Sequence, residues 1–224
     1  MSNNPRRDFL GWLGASALLG ATASPLGASA PPSESDPRAL AVDYDMTWTD
    51  KLTGKYRAVF DSPEASEGAA LFRAIVWQDH YKAVYGTDPK EMTPVVVFRH
   101  AAIPLVMNDA YWERFEVGKE TKIRDAKGKK WTKVNPIRAA PAGSPPAASK
   151  YTLETFLANG GIVLACNMAF SEIVGAFMKA DKLKRDEARK KALEQLIPGV
   201  ILQPSGVFAA LRAQQGGCAY LLAS

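Results

Sequence analysis

Thr93-Pro94-Val95-Val96-Val97-Phe98 carries no charge and no polar–apolar alternation. A half-buried strand alternates and an amphipathic helix repeats every three to four residues; this run does neither. Its β-branched centre and short length fit a strand covered on both faces, the kind found inside parallel sheets. A second run of the same kind, Ile162-Val163-Leu164-Ala165-Cys166, follows Gly160-Gly161. Tyr56–Phe60, Val200–Leu202 and Cys218–Leu222 are three further short apolar segments read as strands.

Helical spacing fills the intervals. Ala65–Tyr85 places Ala69, Phe72, Ile75, Val76 and Ala83 roughly on one face, after Asp61-Ser62-Pro63-Glu64, which reads as a cap with proline near a helix start. Asp109–Phe115 and Leu153–Asn159 read as short helices. Asn167–Met178 carries a stripe of Phe170, Ile173, Val174 and Phe177 that belongs to the core. Arg185–Leu196 is strongly charged, with Glu187 and Lys191 spaced to pair one turn apart, and Val207–Gln215 precedes Gly216-Gly217. Strands alternating with helices predict an α/β domain, a mostly parallel sheet with helices on both faces. No glycine-rich dinucleotide fingerprint follows the first strand and no phosphate-binding loop is present, so no cofactor is expected.

Residues 118–149 interrupt the alternation. Lys119–Lys133 is the most basic stretch, with Asp125-Ala126-Lys127-Gly128 as a hairpin-like turn between Ile123 and Trp131. Residues 139–148 are Pro, Ala, Gly and Ser. The segment reads as a solvated excursion, with a Trp-bearing basic lip over a pocket as the alternative.

The N-terminus has the charged, apolar, small-residue order of an export signal over residues 1–30. Arg6-Arg7-Asp8-Phe9-Leu10 resembles the twin-arginine (Tat) motif, with Pro5 and Gly11 at positions where Ser or Thr and Lys are common. The alternative is a general secretory signal with two incidental arginines. The apolar run is short and rich in Gly and Ala, so no stable membrane span is expected after cleavage. Cleavage is expected after Ala23 or Ala30. Residues 31–54 read as a linker or surface arm, and residues 55–224 as the folded domain. The expected destination is the periplasm, with the Tat translocase as partner during export.

Removing thirty residues from 224 leaves enough chain for one sizeable core. Hydrophobic residues make up 47% of the sequence and five Trp are present, which argues for an ordered globular protein. The formal net charge of +5 falls to +4 without Arg6, Arg7 and Asp8, too little to argue for nucleic acid. Cys166 and Cys218 are the two cysteines; one bridge between them is open, and a disulfide-stapled fold is not supported. His80 and His100 are too few for a His-rich metal site, so no metal is expected.

Over about residues 56–224 the order of elements resembles the DsrE/DsrF-like superfamily of sulfur-relay proteins. The resemblance rests on the first strand with its long helix, on Val97-Phe98-Arg99-His100, on Gly160–Asn167 delivering a cysteine, and on Ile201–Val207 followed by Leu211–Tyr220. It implies a three-layer α/β/α domain with a five-stranded parallel sheet, often assembled into homo-oligomers. It also implies that some members carry sulfur as a cysteine persulfide and pass it between donor and acceptor proteins.

Ligands of open parallel sheets gather at the carboxyl ends of strands. Cys166 is expected there, before a helix N-terminus that favours thiolate, as a persulfide acceptor. His100, at another strand end, is the expected acid, base or ligand, and Asn167 a hydrogen-bond donor to bound sulfur or carboxylate. His80, mid-helix, is expected to be structural or solvated. The alternative for Cys166 is simple packing, since free cysteine is often buried. Two functions follow: sulfur handling on Cys166, or a non-catalytic binding or assembly module of the same fold.

Overall fold

The computed structural model describes residues 44–125, 127–141 and 143–224. The expected export signal, with Arg6, Arg7, Phe9 and Leu10, lies outside them, as does residue 31–43 of the expected arm.

Five strands form one sheet: β1 (Tyr56–Ser62), β2 (Met92–Phe98), β3 (Ile162–Cys166), β4 (Ile201–Gln203) and β5 (Ala219–Leu222). Their spatial order is β4-β3-β2-β1-β5, and every pairing is parallel. β2 lies at the centre, buried along its whole length. Its register sets Val95 beside Val59 on one side and beside Ile162 on the other.

Alternate residues of these strands face two cores. Phe60, Val96, Phe98 and Val163 meet α1 (Ala69–Tyr85) and the 3-10 turn His100–Val106. The short helices α2 (Asp109–Arg114) and α3 (Val117–Glu120) close that side. It is completed by α4 (Pro146–Ser149), α5 (Leu153–Ala158), α6 (Asn167–Asp181) and α7 (Arg185–Glu194). Val59, Val95, Val97 and Leu164 face the other way, against α8 (Gly206–Gln215) and the 3-10 turn Thr47–Lys51. The protein is therefore a three-layer α/β/α domain. Chain order explains the unequal layers: β1 to β4 step across the sheet in one direction, and only the β4-to-β5 connection runs back. Parallel crossovers keep one hand, so the returning helix α8 falls on the opposite face.

Several local expectations need correction. Asp61 and Ser62 belong to β1 and do not cap a helix. The first helix starts at Ala69, because Ser66 (φ 39°), Glu67 (φ 53°) and Gly68 (φ 85°) are left-handed and interrupt the turn before it. Its buried face is Ala70, Leu71, Ala74 and Ile75, while Phe72 is exposed and meets Tyr151 with the rings tilted. Apolar residues surround this helix, so spacing alone did not single out the inward side. Lys191 pairs with Asp181 at 3.0 Å, and Glu187 instead accepts the Lys184 N–H. The stripe on α6 is buried as read.

Residues 44–54 contribute to the second core through Trp48 and Leu52. In the basic excursion the lysines face solvent, but Ile123, Thr132, Asn135 and Ile137 are buried. Asn135 latches the segment: its Nδ2 donates to the carbonyls of Leu105 and Met107, both at 2.7 Å. Among the described residues no helix is long and apolar enough to cross a membrane.

Candidate functional site

At the carboxyl edge of the sheet, on the α1/α6 face, an open cleft of about 690 Å³ lies between the loop after β1, the turn after β2, α3 and α6. His100 stands at its rim, two residues beyond β2. Its φ of 49° is unusual for a residue with a Cβ and is held by flanking bonds: Arg99 N–H to the Ser62 carbonyl, and Ala102 N–H to the Pro63 carbonyl. Such backbone costs about 1–3 kcal/mol and persists where the surroundings fix it, often at functional sites. The His100 side chain is 71% exposed, with Nδ1 3.7 Å from Glu64 Oε1.

Among the described residues three carboxylates line the cleft, Glu64, Glu120 and Glu172, and no Lys or Arg does. Tyr111 of α2 is 5% exposed and packs its ring on Phe115 and Phe177. Burial, then the charges of Glu120 and Glu172, push its phenol above the ordinary range, so the hydroxyl keeps its proton. No described residue hydrogen-bonds that hydroxyl. Ile103 and Ile173 supply apolar wall.

Cys166 and Asn167 do not line this cleft. Cys166 ends β3 and is 6% exposed. Its Sγ accepts the Ala169 N–H at 3.4 Å, capping α6. Asn167 spends its side chain on the protein itself: Nδ2 donates to the Tyr44 hydroxyl at 3.0 Å and Oδ1 accepts from Arg189 at 2.9 Å. Of the three residues expected at the site, His100 lines this cleft and the other two do not. His80 is exposed on α1. Cys166 and Cys218 are both free thiols, so the bridge left open by the sequence is not formed. Burial pushes the Cys218 thiol up to about 11, which suits packing and not nucleophilic attack.

A second polar cluster occupies the opposite face of the same edge, and sequence reasoning missed it. Asp61 is 2% exposed. It accepts two bonds from Arg99, Nε at 2.8 Å and Nη2 at 2.9 Å, and one from the Tyr220 hydroxyl at 2.7 Å. These residues end β1, follow β2 and lie in β5, so the cluster spans the point where strand order reverses. The Arg99 stem lies against Gly206, where an added Cβ would come within 2.5 Å of it. The legible signal was an acid inside an otherwise apolar strand, Ala58-Val59-Phe60-Asp61. Among the described residues no group of three or more His, Cys, Asp or Glu is arranged to hold a metal ion.

No family model matches the chain, and no curated protein matches it. Among solved structures, the chain is similar to a protein of unknown function from Methanobacterium thermoautotrophicum. The two share 16% identity, with 75% of this chain and 98% of that one covered and a TM-score of 0.37. A likeness of that degree carries no argument about function.

Proposed function

We propose that this chain is an exported, non-catalytic binding module of the α/β/α class, with the acidic cleft beside His100 as its ligand site. One observation carries this reading. The cavity at the carboxyl edge is open and polar, whereas the candidate nucleophile Cys166 is buried at the start of α6 with its sulfur already engaged by the Ala169 N–H. Ligands of parallel sheets collect at this edge. The test is thiol labelling of the folded protein. Cys166 is expected to react only after denaturant is added, and Cys166→Ala to leave ligand binding unchanged. Rapid labelling under native conditions would count against the binding reading.

A second reading, sulfur handling, is favoured by one specific feature and by the sequence resemblance to DsrE/DsrF-like proteins. The Cys166 sulfur sits at the N-terminus of a fifteen-residue helix and accepts the Ala169 N–H there. In that chemistry the thiolate attacks the outer sulfur of a donor persulfide, forms the new S–S bond and releases the donor as a thiol. Incubation with a persulfide donor would then add one sulfur atom to the protein's mass, and Cys166→Ala would abolish the gain. Export through the twin-arginine route belongs to the proposal and rests on Arg6-Arg7-Asp8-Phe9-Leu10. Changing Arg6 and Arg7 to Lys should retain the protein inside the cell; normal export of that variant would point to the general secretory route.

A further inference from the structure

The acidic cleft has a charge opposite to that of the chain that carries it. The whole sequence is +5, yet among the described residues three carboxylates and no Lys or Arg line this cavity, with His100 at its rim beside Glu64. The carboxylates come from separate places, Glu64 from the loop after β1, Glu120 from α3 and Glu172 from α6. They do not converge as metal ligands would, and among the described residues no metal-holding group of three forms. Spread charges of one sign around an open space match an extended cation better than a bare ion.

An independent observation points the same way. Tyr111 is 5% exposed, lines the cleft, and has no hydrogen-bond partner for its hydroxyl among the described residues. The ring is buried, but the hydroxyl oxygen stays open to the cleft, where a ligand donor can reach it. Here the neighbouring charges are Glu120 and Glu172, and burial with those charges keeps the phenol protonated. A ligand ammonium brings three N–H donors, enough to reach the hydroxyl oxygen and the carboxylates beside it. Ile103, Pro104 and Ile173 offer apolar wall for the methylenes that would separate two such groups.

We propose that the cleft binds a small aliphatic amine, of the class with protonated amino groups at both ends of a short methylene chain. This rests on the cleft being the ligand site and adds the chemical class of the ligand. The experiment is calorimetric titration of the full chain with 1,4-diaminobutane, butylamine, 1,4-butanediol and succinate. The diamine is expected to bind at least about tenfold more tightly than the diol, a difference of about 1.4 kcal/mol. Binding should weaken in 0.5 M salt, because the paired charges are partly exposed. Glu120→Gln and Glu172→Gln should each lower affinity about three- to tenfold, and Tyr111→Phe by a similar factor. Glu113→Gln, on a carboxylate paired with Lys133 outside the cleft, should change nothing. Thermal melts of each variant establish that it is folded.

Diol or succinate binding as tight as the diamine, and lost in the cleft-filling Ala176→Trp, would overturn the cation assignment and leave the cleft as the site. No binding by any of the four at millimolar concentration would also overturn the cation assignment. Diamine binding that survives Glu120→Gln, Glu172→Gln and Ala176→Trp would overturn both, because the ligand would then sit elsewhere.

Discussion

Asp61 accepts three hydrogen bonds on one buried carboxylate, two from Arg99 and one from Tyr220. Removing the acceptor strands a guanidinium that is 27% exposed, so solvent recovers part of the loss. Asp61→Ala should therefore destabilise by about 2–3 kcal/mol, below the range for fully buried pairs. Tyr220→Phe removes one bond at an exposed position and should cost about 0.5–1.5 kcal/mol. Urea denaturation of both variants checks the order; equal losses would mean that Arg99 contributes nothing through Asp61. None of this was legible as a cluster, because its members are separated by 38 and 159 positions and only the fold unites them. His100 was legible as a site residue for the opposite reason, since it lies two residues past a strand whose carboxyl end could be read from Val95-Val96-Val97-Phe98. Cys166 was legible as a strand end too, but its burial at the start of α6 depends on packing that no local pattern records.

Elements show the same division. The stripe on α6 could be read because Phe170, Ile173, Val174 and Phe177 repeat at helical spacing against a polar background. On α1 the apolar residues face several directions, and the buried side is set by β1 and β2 lying beneath it. The α6–α7 junction offers a test at this scale. Asp181 ends α6 and is paired with Arg114 and with Lys191 of α7, and those partners, Arg114 foremost, hold its carboxyl below the ordinary value of 3.8. A carboxyl whose folded pKa is depressed contributes stability above its unfolded pKa and loses it as pH falls through the folded one. Asp181→Asn should thus lower the melting temperature at pH 6–7, and the gap to the parent should close as pH drops through 3.8 and below. Melting curves at stepwise pH check this; a gap that is constant down to pH 2 would assign the effect to something other than charge.

Across the whole molecule, the two cores are unequal, and the smaller depends on chain that precedes the sheet. Trp48 is fully buried beside Val59, Val95, Ala209 and Ala213. Trp48→Ala should cost about 3–5 kcal/mol, as for other large core truncations. Denaturant unfolding checks it, and a loss under 1 kcal/mol would mean that the segment is not part of the cooperative unit. The layered architecture was legible from alternation alone, and the cleft was not. Its carboxylates sit in three segments whose local sequence gives each an ordinary solvated role, and only the return of α3 and α6 to the end of β2 brings them to one space.

The sheet also fixes an order of events during synthesis. β1 lies between β2 and β5, and Ala58 pairs with Ala219. Four strands can assemble as they emerge, each beside its predecessor, but β1 keeps one edge unpaired until residue 222 has been made. The turn that reverses strand order, which places α8 on its own face, thereby couples completion of the first strand to production of the last. Closing so long a loop is slow. A nascent chain would carry a template edge through most of its synthesis, exposed to any extended segment nearby.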